Sequence, residues 1–399
     1  MKRKLLFLSF YFQPDLCAGS FRSTALIEEL ISRAGDSWEI DMMTTMPNRY
    51  STFASEAPSI EHMGPVTVRR IKLPGHQSGI LDQSFAFSFF AWKVRRATQR
   101  HDYDAVFATS SRLATGVLGA SIARKFNLPL YLDIRDIFAD TLDDVFKGSP
   151  LHALLPVVRM AERYALRGAA TVNVVSTGFI PYFKARKLNQ RFTFFPNGVD
   201  EEFLRYNFRK IITSDSPKTI LYAGNIGDGQ GLHRILPQMA QRIGRNWKFV
   251  VVGDGGRRRE LEKQIQNVSA TNIALLDPMP RNKLMELYRQ ADVLLLHLND
   301  FEAFKRVLPS KIFEYAASGK PILAGANGHC AEFLKENVVN SAVFPPCDAT
   351  AACSALASLE LGQTLRRDFI EKYSRKAIVK EMIADMLKTV EQRIHFHEQ

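Results

Sequence analysis

Residues 302–325, EAFKRVLPSKIFEYAASGKPILAG, contain one turn, one helix and one strand of an α/β fold. We expect a loop to end at Pro309 and a helix to begin there. Proline suits the first position of a helix, because the amide that it lacks would be unpaired there anyway. Gly319 and Pro321 then turn the chain into the short apolar strand 322–324. The stretch therefore predicts a helix that leads into a buried strand.

Charged side chains stand at the start of this predicted helix. The free amides of a helix start form a partly positive site that suits an anion such as phosphate. Lys311 adds a full charge, and Glu314, one turn later, offers two acceptors that suit a sugar diol. A nucleotide diphosphate and its ribose fit this combination. An ordinary surface ion pair between Lys311 and Glu314 at i,i+3 fits the spacing equally well.

Short apolar runs alternate with helical patterns along most of the chain. Strands are expected at residues 5–12, 39–44, 66–73, 105–109, 130–134, 171–175, 192–195, 219–223, 249–252, 273–276, 293–297, 322–324 and 342–344. Apolar strands separated by helices imply buried parallel sheets with right-handed crossovers. Because the pattern occurs twice, we predict two doubly wound Rossmann-like domains.

The expected domains are residues 1–200 and residues 201–364, with the join within residues 201–218, where the periodicity fails. A charged helical tail follows at residues 365–399. It has no strand to return to, and we expect it to pack across to the first domain.

Composition restricts the class of protein. The 399 residues are 46% hydrophobic and 24% charged, as in ordinary soluble globular proteins. The first residues, MKRKLLFLSFYFQP, are expected to form a buried strand rather than a signal peptide, and no stretch approaches the length of a membrane span. The four cysteines have no metal spacing, which favours reduced thiols and a cytoplasmic location. The net charge of +12 calls for an anionic partner: nucleic acid, anionic lipid or a phosphorylated substrate.

A first glycine-bearing turn, residues 14–20, lies between the first predicted strand and a helix. Ser20 is expected to cap that helix, and Gly19 lets a ligand approach the backbone closely. The turn stands at the carboxyl end of a strand, where open α/β sheets bind ligands. Glycine turns before helices are also common as purely structural features.

Two further glycine turns follow strands in the second half. Residues 224–231, GNIGDGQG, have the glycine density of a phosphate loop but lack the Walker lysine and the strict dinucleotide spacing, so neither a kinase nor a dehydrogenase is supported. Residues 253–256 precede the basic run 257–259, which we expect to face solvent.

Two acidic motifs were weighed as ligand sites. Residues 102–104, DYD, mimic a metal-binding DxD motif, but they stand just before a strand and no other ligand cluster accompanies them, so no metal is predicted. Residues 133–136, DIRD, end a strand. Arg135 and Asp136 are expected either to touch a ligand there or to form an ion pair that closes the sheet edge.

The stretch from Phe85 to Arg100, FAFSFFAWKVRRATQR, places aromatic residues directly before clustered cations. Aromatic surface next to cations is the composition of a contact with an anionic membrane surface. The alternative is a core helix with a solvated basic end.

Several segments together resemble the retaining glycosyltransferases of family four, which have the GT-B fold. They are PDLCAGSFRSTALIEEL, VVSTGFIPYF, FPNGVD, ILYAGNIGDGQGL, VVGDGGRRREL, ADVLLLHL and LPSKIFEYAASGKPILAG, in family order from about residue 5 to about residue 350. The forms YAGN…QGL and PSKIFEY are most similar to bacterial transferases that build O-antigen or capsule from N-acetylated sugars such as fucosamine.

The resemblance implies two Rossmann-like domains facing a cleft, with the donor held mainly by the second domain. By matching motif positions, it places Glu314 on the donor ribose, and Ser310 and Lys311 on the diphosphate. It places Gly19 and Ser20 where the first domain meets the donor phosphate. Asn197 and Gly198 correspond to the family's hinge.

Three departures from the family pattern change the expected site. The first of two usual glutamates is replaced by Arg306, and Glu302 is expected to contact the donor sugar instead. The usual arginine and lysine of the phosphate loop are replaced by Asn225 and Gln230. Arg135 stands where the family often has a histidine. We hypothesise that Lys311, together with Arg306 or Arg135, stabilises the leaving diphosphate, since such stabilisation is usually the largest catalytic term.

The resemblance implies a metal-independent, retaining transfer from a nucleotide-sugar donor, with UDP-sugars favoured by resemblance alone and no cofactor. The implied acceptor is a lipid-linked or oligosaccharide glycan in surface polysaccharide synthesis, which suits an enzyme peripheral to the inner face of the plasma membrane. A UDP-sugar 2-epimerase shares the fold and is an alternative. A basic nucleic-acid-binding protein is another, but the single aromatic and basic stretch argues against a long nucleic-acid groove.

Overall fold

The structure is a computed structural model that describes residues 2–35, 37–47, 56–74, 80–99, 102–110, 112–186, 188, 190–210 and 217–398. Arg100 and residues 211–216 of the expected join lie outside the described residues, as do the side chains at 34, 80–83, 145–146 and 393–398. The chain divides into two compact units. The first unit comprises residues 1–197 with 376–399, and the second unit comprises residues 198–375. Residues 198–200 and 365–375 therefore belong to the second unit, which differs from the expected bounds.

The first unit is built on an eight-stranded sheet. Its strands are β1 (Arg3–Leu8), β2 (Trp38–Thr45), β3 (Ile60–Met63), β4 (Val66–Ile71), β5 (Ala105–Thr109), β6 (Leu130–Ile134), β7 (Thr171–Val174) and β8 (Arg191–Phe194). Its helices begin with α1 (Ala18–Ala34), α2 (Ile80–Thr98), α3 (Leu113–Lys125), α4 (Phe138–Phe146), α5 (Leu155–Arg167) and α6 (Phe179–Ala185), and a 3₁₀ turn occupies Pro150–Leu154. The strand order is β3-β4-β2-β1-β5-β6-β7-β8.

The second unit is built on a six-stranded sheet in which every pairing is parallel. Its strands are β9 (Lys218–Ala223), β10 (Trp247–Val252), β11 (Ile273–Leu276), β12 (Val293–His297), β13 (Ile322–Gly325) and β14 (Ser341–Phe344), in the order β11-β10-β9-β12-β13-β14. Its helices are α7 (Glu201–Arg205), α8 (Leu232–Ile243), α9 (Arg258–Asn267), α10 (Arg281–Gln290), α11 (Lys311–Ala317), α12 (Gly328–Asn337), α13 (Ala349–Ala357) and α14 (Arg367–Lys372), with a 3₁₀ turn at Glu302–Arg306.

The last helix, α15 (Arg375–Glu398), completes the core of the first unit. Val379, Met382 and Ile383 are buried in the same cluster as Leu5 and Phe7 of β1. The apolar residues of α15 recur at helical spacing, so one face of the helix can be buried. Residues 376–398 of the tail are therefore a structural part of the first unit.

Both sheets have the Rossmann strand order, in which the order reverses beside the first strand. The reversal falls between β1 and β5 in the first unit and between β9 and β12 in the second. The expectation of two doubly wound Rossmann-like domains is confirmed. In such sheets ligands bind outside the carboxyl ends of the strands at the reversal.

Two strand predictions were wrong. The first strand ends at Leu8 rather than at residue 12, although Phe10, Tyr11 and Phe12 are all buried. An apolar run cannot distinguish a buried strand from a buried loop, and here the chain leaves the sheet while remaining in the core. The antiparallel strand β3 was missed, because its four residues, IEHM, are exposed or half-buried and carry no apolar run.

Candidate functional site

The glycine turn 224–231 stands at the reversal point of the second sheet, directly after β9. A second glycine turn, after β10, packs against it. A Cβ atom built on Gly253 would lie 1.9 Å from the carbonyl oxygen of Gly224, so only glycine allows this approach of the two backbones. Arg257, which follows the second turn, also donates to Asp228 at 2.6 Å. The basic run therefore braces the first turn through Arg257, rather than only facing solvent as we expected.

The two polar side chains of the glycine turn that were predicted to meet the diphosphate, Asn225 and Gln230, bind each other. Asn225 Nδ2 donates to Gln230 Oε1 at 2.8 Å, across the glycine turn. The phenol of Tyr222 donates to the Asn225 carbonyl oxygen at 2.7 Å. Asn225 and Gln230 therefore close the turn on itself and supply no positive charge.

The positive charge at this turn comes from Lys311. A Cβ atom on Gly224 would lie 2.3 Å from Lys311 Nζ, which places the ammonium directly over the glycine. Nζ also lies 5.0 Å from the centre of the Tyr222 ring. The structure thus brings together Lys311, Asn225 and Gln230, which are far apart in sequence.

The helix that carries Lys311 begins later than we predicted. Helix α11 spans Lys311–Ala317 and follows Ser310, so Pro309 is not its first residue. The amides of Ile312 and Phe313 already donate to the carbonyl oxygens of Pro309 and Ser310 in i→i+3 bonds at 3.2 Å. A tight first turn of this kind uses amides that would otherwise be free. The charge of Lys311, more than the helix start, therefore defines the site.

The ammonium of Lys311 is half-buried and weakly bonded. Within the described part of the chain, its hydrogen bonds and salt bridges amount to one long contact, to the Tyr222 hydroxyl at 3.5 Å. Burial lowers the pKa of Lys311 to about 8, against a smaller opposing effect of Glu314. An ammonium has three donors. A partly desolvated cation with donors to spare is suited to bind an anion.

Glu314 is one of three carboxylates that surround Arg281, and it is not the ion-pair partner of Lys311. Its Oε1 lies 3.4 Å from Arg281 Nη2, and Arg281 also pairs with Asp200 and with Glu202. Burial raises the pKa of Glu314, and the nearby Arg281 guanidinium opposes this. Among the ion pairs of the residues that the structure describes there is none between Lys311 and Glu314. The surface ion pair weighed in the sequence is therefore not formed.

His297 and Asn299, which the sequence analysis did not single out, hold the glycine turn from the end of β12. The buried His297 bonds the Gln230 carbonyl oxygen through Nδ1 at 2.6 Å and accepts the Cys347 amide at Nε2, at 3.0 Å. Burial lowers the pKa of His297 to about 4, so the ring is neutral. Asn299 Nδ2 donates to the Asp228 carbonyl oxygen at 2.9 Å. The sequence offered one signal for this role, which is that His297 ends a predicted strand of the second domain.

The remaining predicted residues of the second unit lie in or beside the 3₁₀ turn Glu302–Arg306. Glu302 is exposed and pairs with Lys305, which lowers the pKa of Glu302. Arg306 Nη1 donates to the Glu302 carbonyl oxygen at 3.3 Å. Ser310 is half-buried just before α11. Contacts of Glu302 or Arg306 with a donor therefore stay a prediction.

In the first unit, Gly19 and Ser20 are buried in the first turn of α1. The helix begins at Ala18 and its cap position is Cys17. The prediction that Ser20 caps the helix was therefore wrong, because the helix starts two residues earlier. A role of Gly19 and Ser20 toward a donor phosphate stays a prediction.

Helix α1 and strand β6 of the first unit are joined by a buried ion pair between Arg22 and Asp133. Arg22 Nε and Nη2 donate to the two Asp133 oxygens, both at 2.9 Å, and Asn173 donates to the same carboxylate at 2.7 Å. Burial by itself raises the pKa of Asp133, but Arg22 outweighs it and leaves the pKa below its usual value. Asp133, the first residue of the DIRD motif, is thus held by Arg22 in the interior of the first unit.

The other two charged residues of that motif are half-buried. The Arg135 amide donates to Ser110 Oγ at 3.2 Å. Burial raises the pKa of Asp136 to about 6, opposed by the Ile137 amide that donates to its carboxylate and by the charge of Arg135. Contact of Arg135 and Asp136 with a ligand stays a prediction.

The DYD motif has structural partners. Asp104 accepts the Lys4 amide at 2.7 Å, and the Tyr103 hydroxyl donates to Asp41 at 2.9 Å. A search of the described residues finds no group of three or more histidine, cysteine, aspartate or glutamate side chains suited to a metal ion. In the same residues, no helix is long and apolar enough to cross a membrane.

Two family models match the chain on either side of the division between the units. The model described as glycosyl transferase 4-like domain matches residues 23–198, and the model described as glycosyl transferases group 1 matches residues 205–376. Both describe glycosyltransferases, and together they cover most of the chain. The chain therefore belongs to the glycosyltransferases of the family-four type.

Curated relatives agree with this class. The 2-deoxystreptamine N-acetyl-D-glucosaminyltransferase of Niallia circulans is 23% identical over 287 residues, which is 67% of this chain and 71% of that protein. WcaI of Escherichia coli (strain K12), named as a colanic acid biosynthesis glycosyl transferase, is 32% identical over 105 residues. That match spans only 26% of each chain.

Solved structures confirm the GT-B fold class. Sucrose-phosphate synthase of Thermosynechococcus elongatus superposes with a TM-score of 0.73 at 18% identity, covering 97% of this chain and 99% of that one. HepE of Anabaena, solved in complex with UDP, gives a TM-score of 0.65 at 18% identity over 98% and 100% of the two chains. At these identities the likeness concerns the fold.

Proposed function

We propose that this chain is a retaining glycosyltransferase that moves a sugar from a nucleotide diphosphate donor, and that the second unit binds the diphosphate at Lys311. The observation that carries the proposal is the Lys311 ammonium, which lies over Gly224 at the reversal point of the sheet with donors to spare. The glycines of the turn carry no side chains that would keep a phosphate away from the backbone there. The range matched by the glycosyl transferases group 1 model, residues 205–376, includes both the glycine turn and Lys311.

The chemistry follows from charge. The diphosphate leaving group becomes more negative as the sugar bond breaks, and a fixed cation stabilises that charge more in the transition state than in the ground state. Because Asn225 and Gln230 are uncharged and bind each other, we assign this stabilisation in the second unit to Lys311, with Arg306 as the predicted second cation. In front-face displacement the acceptor hydroxyl attacks on the side of the departing phosphate, whose oxygen takes the proton.

We also propose the chemical class of the donor and of the acceptor. HepE was solved with UDP and with UDP-glucose, and these neighbours support a UDP-sugar donor. The name of the Niallia circulans relative, an N-acetyl-D-glucosaminyltransferase, supports transfer of an N-acetylated sugar. The names of WcaI, a colanic acid biosynthesis glycosyl transferase, and of the structural neighbour WaaB, a lipopolysaccharide outer core galactosyltransferase, support a role in surface polysaccharides. We therefore propose an N-acetylated sugar and a lipid-linked or oligosaccharide acceptor, with no metal requirement. A product with the donor's anomeric configuration, formed in the presence of a chelator, is the expected result.

The direct test of donor class is a thermal-shift panel with UDP, GDP, ADP and dTDP, because a ligand stabilises the fold that it binds. UDP is expected to raise the melting temperature most. A panel in which no nucleotide raises it contradicts the proposed function. If a nucleotide with another base raises the melting temperature most, the proposed diphosphate site stands and the proposed donor changes to that nucleotide's sugar.

We also propose that the protein is peripheral to the inner face of the plasma membrane, through the stretch from Phe85 to Arg100. Phe85 and Trp92 on α2 are 65% and 51% exposed. Lys93 Nζ lies 5.3 Å from the centre of the Trp92 ring, so a cation and an exposed aromatic face share one surface. Phe89→Asp with Trp92→Asp is expected to release the protein from anionic vesicles and to leave donor hydrolysis intact. Persistent vesicle binding would place the membrane contact elsewhere.

A further inference from the structure

The first unit contains an apolar groove that the proposed donor chemistry does not use. It is a cavity of about 850 Å³ among helices α2, α3, α4 and α5 and the 3₁₀ turn Pro150–Leu154. Its walls are mostly hydrocarbon, and they include Phe87, Val117, Leu142, Leu155 and Val158. A groove of this size is within the range of pockets that hold one small molecule.

Large apolar side chains are exposed along the groove. Trp92, Leu154 and Val157 line it and are 51%, 52% and 57% exposed. Soluble proteins rarely expose a contiguous apolar surface without a partner for it. The groove therefore has the surface of a site that is covered by an apolar ligand.

One end of the groove lies at the reversal point of the first sheet. Arg112, which lines the groove, comes directly after β5 and before α3. Its guanidinium lies 4.4 Å from the centre of the Phe10 ring and donates to the Tyr11 hydroxyl at 3.0 Å, and both of these residues follow β1. The strands β1 and β5 flank the reversal point, where ligands of such sheets bind. The groove is thus continuous with the expected ligand edge of the first unit.

The α2 side of the groove carries positive charge. Arg95 lines it, and Lys93 and Arg96 lie beside it on the same helix, over the Trp92 ring. In the part of the chain that the structure describes, the salt bridges include none to Lys93, Arg95 or Arg96. An anionic group next to an apolar chain complements this surface.

The volume of the groove favours a single hydrocarbon chain over a peptide helix as its occupant. A helix about 10 Å in diameter would fill 850 Å³ with only about two turns. A hydrocarbon chain needs no internal hydrogen bonds and can follow a narrow apolar groove along its whole length.

We propose that this groove binds the hydrocarbon chain of a phosphate-bearing lipid acceptor, with the anionic head toward Arg112. The inference rests on the proposed function, which it deepens by giving the acceptor a lipid chain and a place in the first unit. The reacting glycan then lies at the carboxyl edge of the sheet, and the chain extends away between α2 and α5.

The test uses dodecyl phosphate with bromine on its terminal carbons, at concentrations below micelle formation. Bromine quenches tryptophan emission at short range, and Trp92 lines the groove. Saturable quenching is expected in the full-length protein and is expected to be lost in Trp92→Phe. Inorganic phosphate is expected not to displace the probe, since the chain provides most of the contact. Absent or non-saturable quenching overturns the inference.

Matched variants locate the probe. Ala114→Phe and Ala161→Phe, on two different helices that line the groove, are expected to weaken binding at least tenfold by filling it. Ala153→Phe adds the same bulk at an exposed position of the 3₁₀ turn outside the lining and is expected to change binding less than twofold. Equal binding by all three variants overturns the inference. Two groove-filling variants are used so that, if one of them fails to fold, the other still tests the inference.

The nucleotide panel separates this inference from the proposed function. A protein that is stabilised by UDP but does not bind brominated dodecyl phosphate refutes the groove assignment alone. A protein that binds the probe but is stabilised by no nucleotide refutes the donor assignment alone. If the filling variants lose binding to anionic vesicles while the wild type does not bind the monomeric probe, the groove is only part of a membrane surface, and the acceptor assignment fails.

Discussion

Arg22 of the first unit and Lys311 of the second are cations withdrawn from solvent near a sheet's carboxyl edge, but their surroundings differ. Arg22 is fully buried, binds both Asp133 oxygens and also donates to the carbonyl oxygens of Phe195 and Pro196 at 2.9 Å. Lys311 is half-buried and has one long contact to a phenol in the described structure. A cation whose nitrogens are all hydrogen-bonded within the protein holds the fold, whereas a cation with unused donors is available to a ligand.

The residue types agree with this division. Arginine stays charged at any physiological pH and its planar group matches a carboxylate, which suits a permanent buried pair. The pKa of a lysine moves readily on burial, and burial lowers that of Lys311 to about 8. An incoming diphosphate restores the charge that burial disfavours. The comparison therefore predicts a loss of stability at one site and a loss of binding at the other.

The largest effect is expected from Arg22→Met, which leaves the Asp133 carboxylate buried without its partner. Breaking a buried pair on one side costs about 3–5 kcal/mol. We expect the free energy of unfolding of the first unit, measured by urea titration, to fall by that amount. Arg33→Met on the same helix, which removes the partly exposed pair with Glu29, is expected to cost less than about 1 kcal/mol. Equal losses in the two variants would contradict the structural role of Arg22.

Lys311→Ala is expected to lower turnover at least about tenfold, or about 1.4 kcal/mol of barrier, because it removes the cation that faces the leaving diphosphate. Melting temperature is expected to stay unchanged or to rise, since a partly desolvated charge is removed. Single-turnover kinetics and a thermal melt measure the two effects. Lys335→Ala, an exposed lysine of α12, is the control for removing a charge. Unchanged turnover in Lys311→Ala would remove this assignment.

The pH dependence of nucleotide binding tests the charge of Lys311 itself. The cationic form binds the diphosphate, so affinity is full below a pKa of about 8 and falls as pH rises through that value. Between about pH 7 and about pH 9 we expect affinity to fall about tenfold in the wild type, because the cationic fraction falls from about 0.9 to about 0.09. Lys311→Arg keeps its charge over this range, and its affinity is expected to stay flat. Parallel profiles of the two proteins would show that another group titrates.

The smallest effect concerns Glu314 and the ribose. If the carboxylate accepts from the diol, UDP binds more tightly than 2′-deoxy-UDP in the wild type, by about threefold for one hydrogen bond of modest net strength. Glu314→Gln is expected to reduce that preference, since the amide is a weaker acceptor and loses its pairing with Arg281. Isothermal titration of both nucleotides against both proteins measures the difference. Equal affinity of the wild type for the two nucleotides would show that the carboxylate serves only the Arg281 network.

Most of the fold could be predicted from sequence, because buried parallel strands are continuous apolar runs that helices separate. β5, β6, β11 and β12 begin and end at the predicted residues. β3 could not be predicted in this way, since an edge strand with exposed residues has no apolar signature. The start of α11 was misplaced because proline is only preferred, not required, at the first position of a helix. Here a tight turn after Pro309 provides hydrogen-bond acceptors for the amides of Ile312 and Phe313.

The candidate site was predictable only in part. Lys311 and the glycine turn were singled out separately, from charge and from glycine density. Their contact, however, depends on the pairing of β9 with β12 and could not be derived from spacing. The partners of Arg22 could not be predicted from sequence either, because Asp133 is 111 residues away along the chain. The sequence analysis treated His297 only as the end of a strand. Its hydrogen bond to the Gln230 carbonyl oxygen of the glycine turn is visible only in the three-dimensional structure.

The most direct test of the diphosphate site is the dissociation constant of UDP, or of the nucleotide that leads the thermal-shift panel, measured by isothermal titration for the wild type, Lys311→Met and Lys335→Met. Methionine keeps most of the length of lysine and removes its charge. We predict at least tenfold weaker binding in Lys311→Met and an unchanged constant in Lys335→Met. Equal constants in all three proteins would contradict the claim that the Lys311 ammonium binds the donor diphosphate.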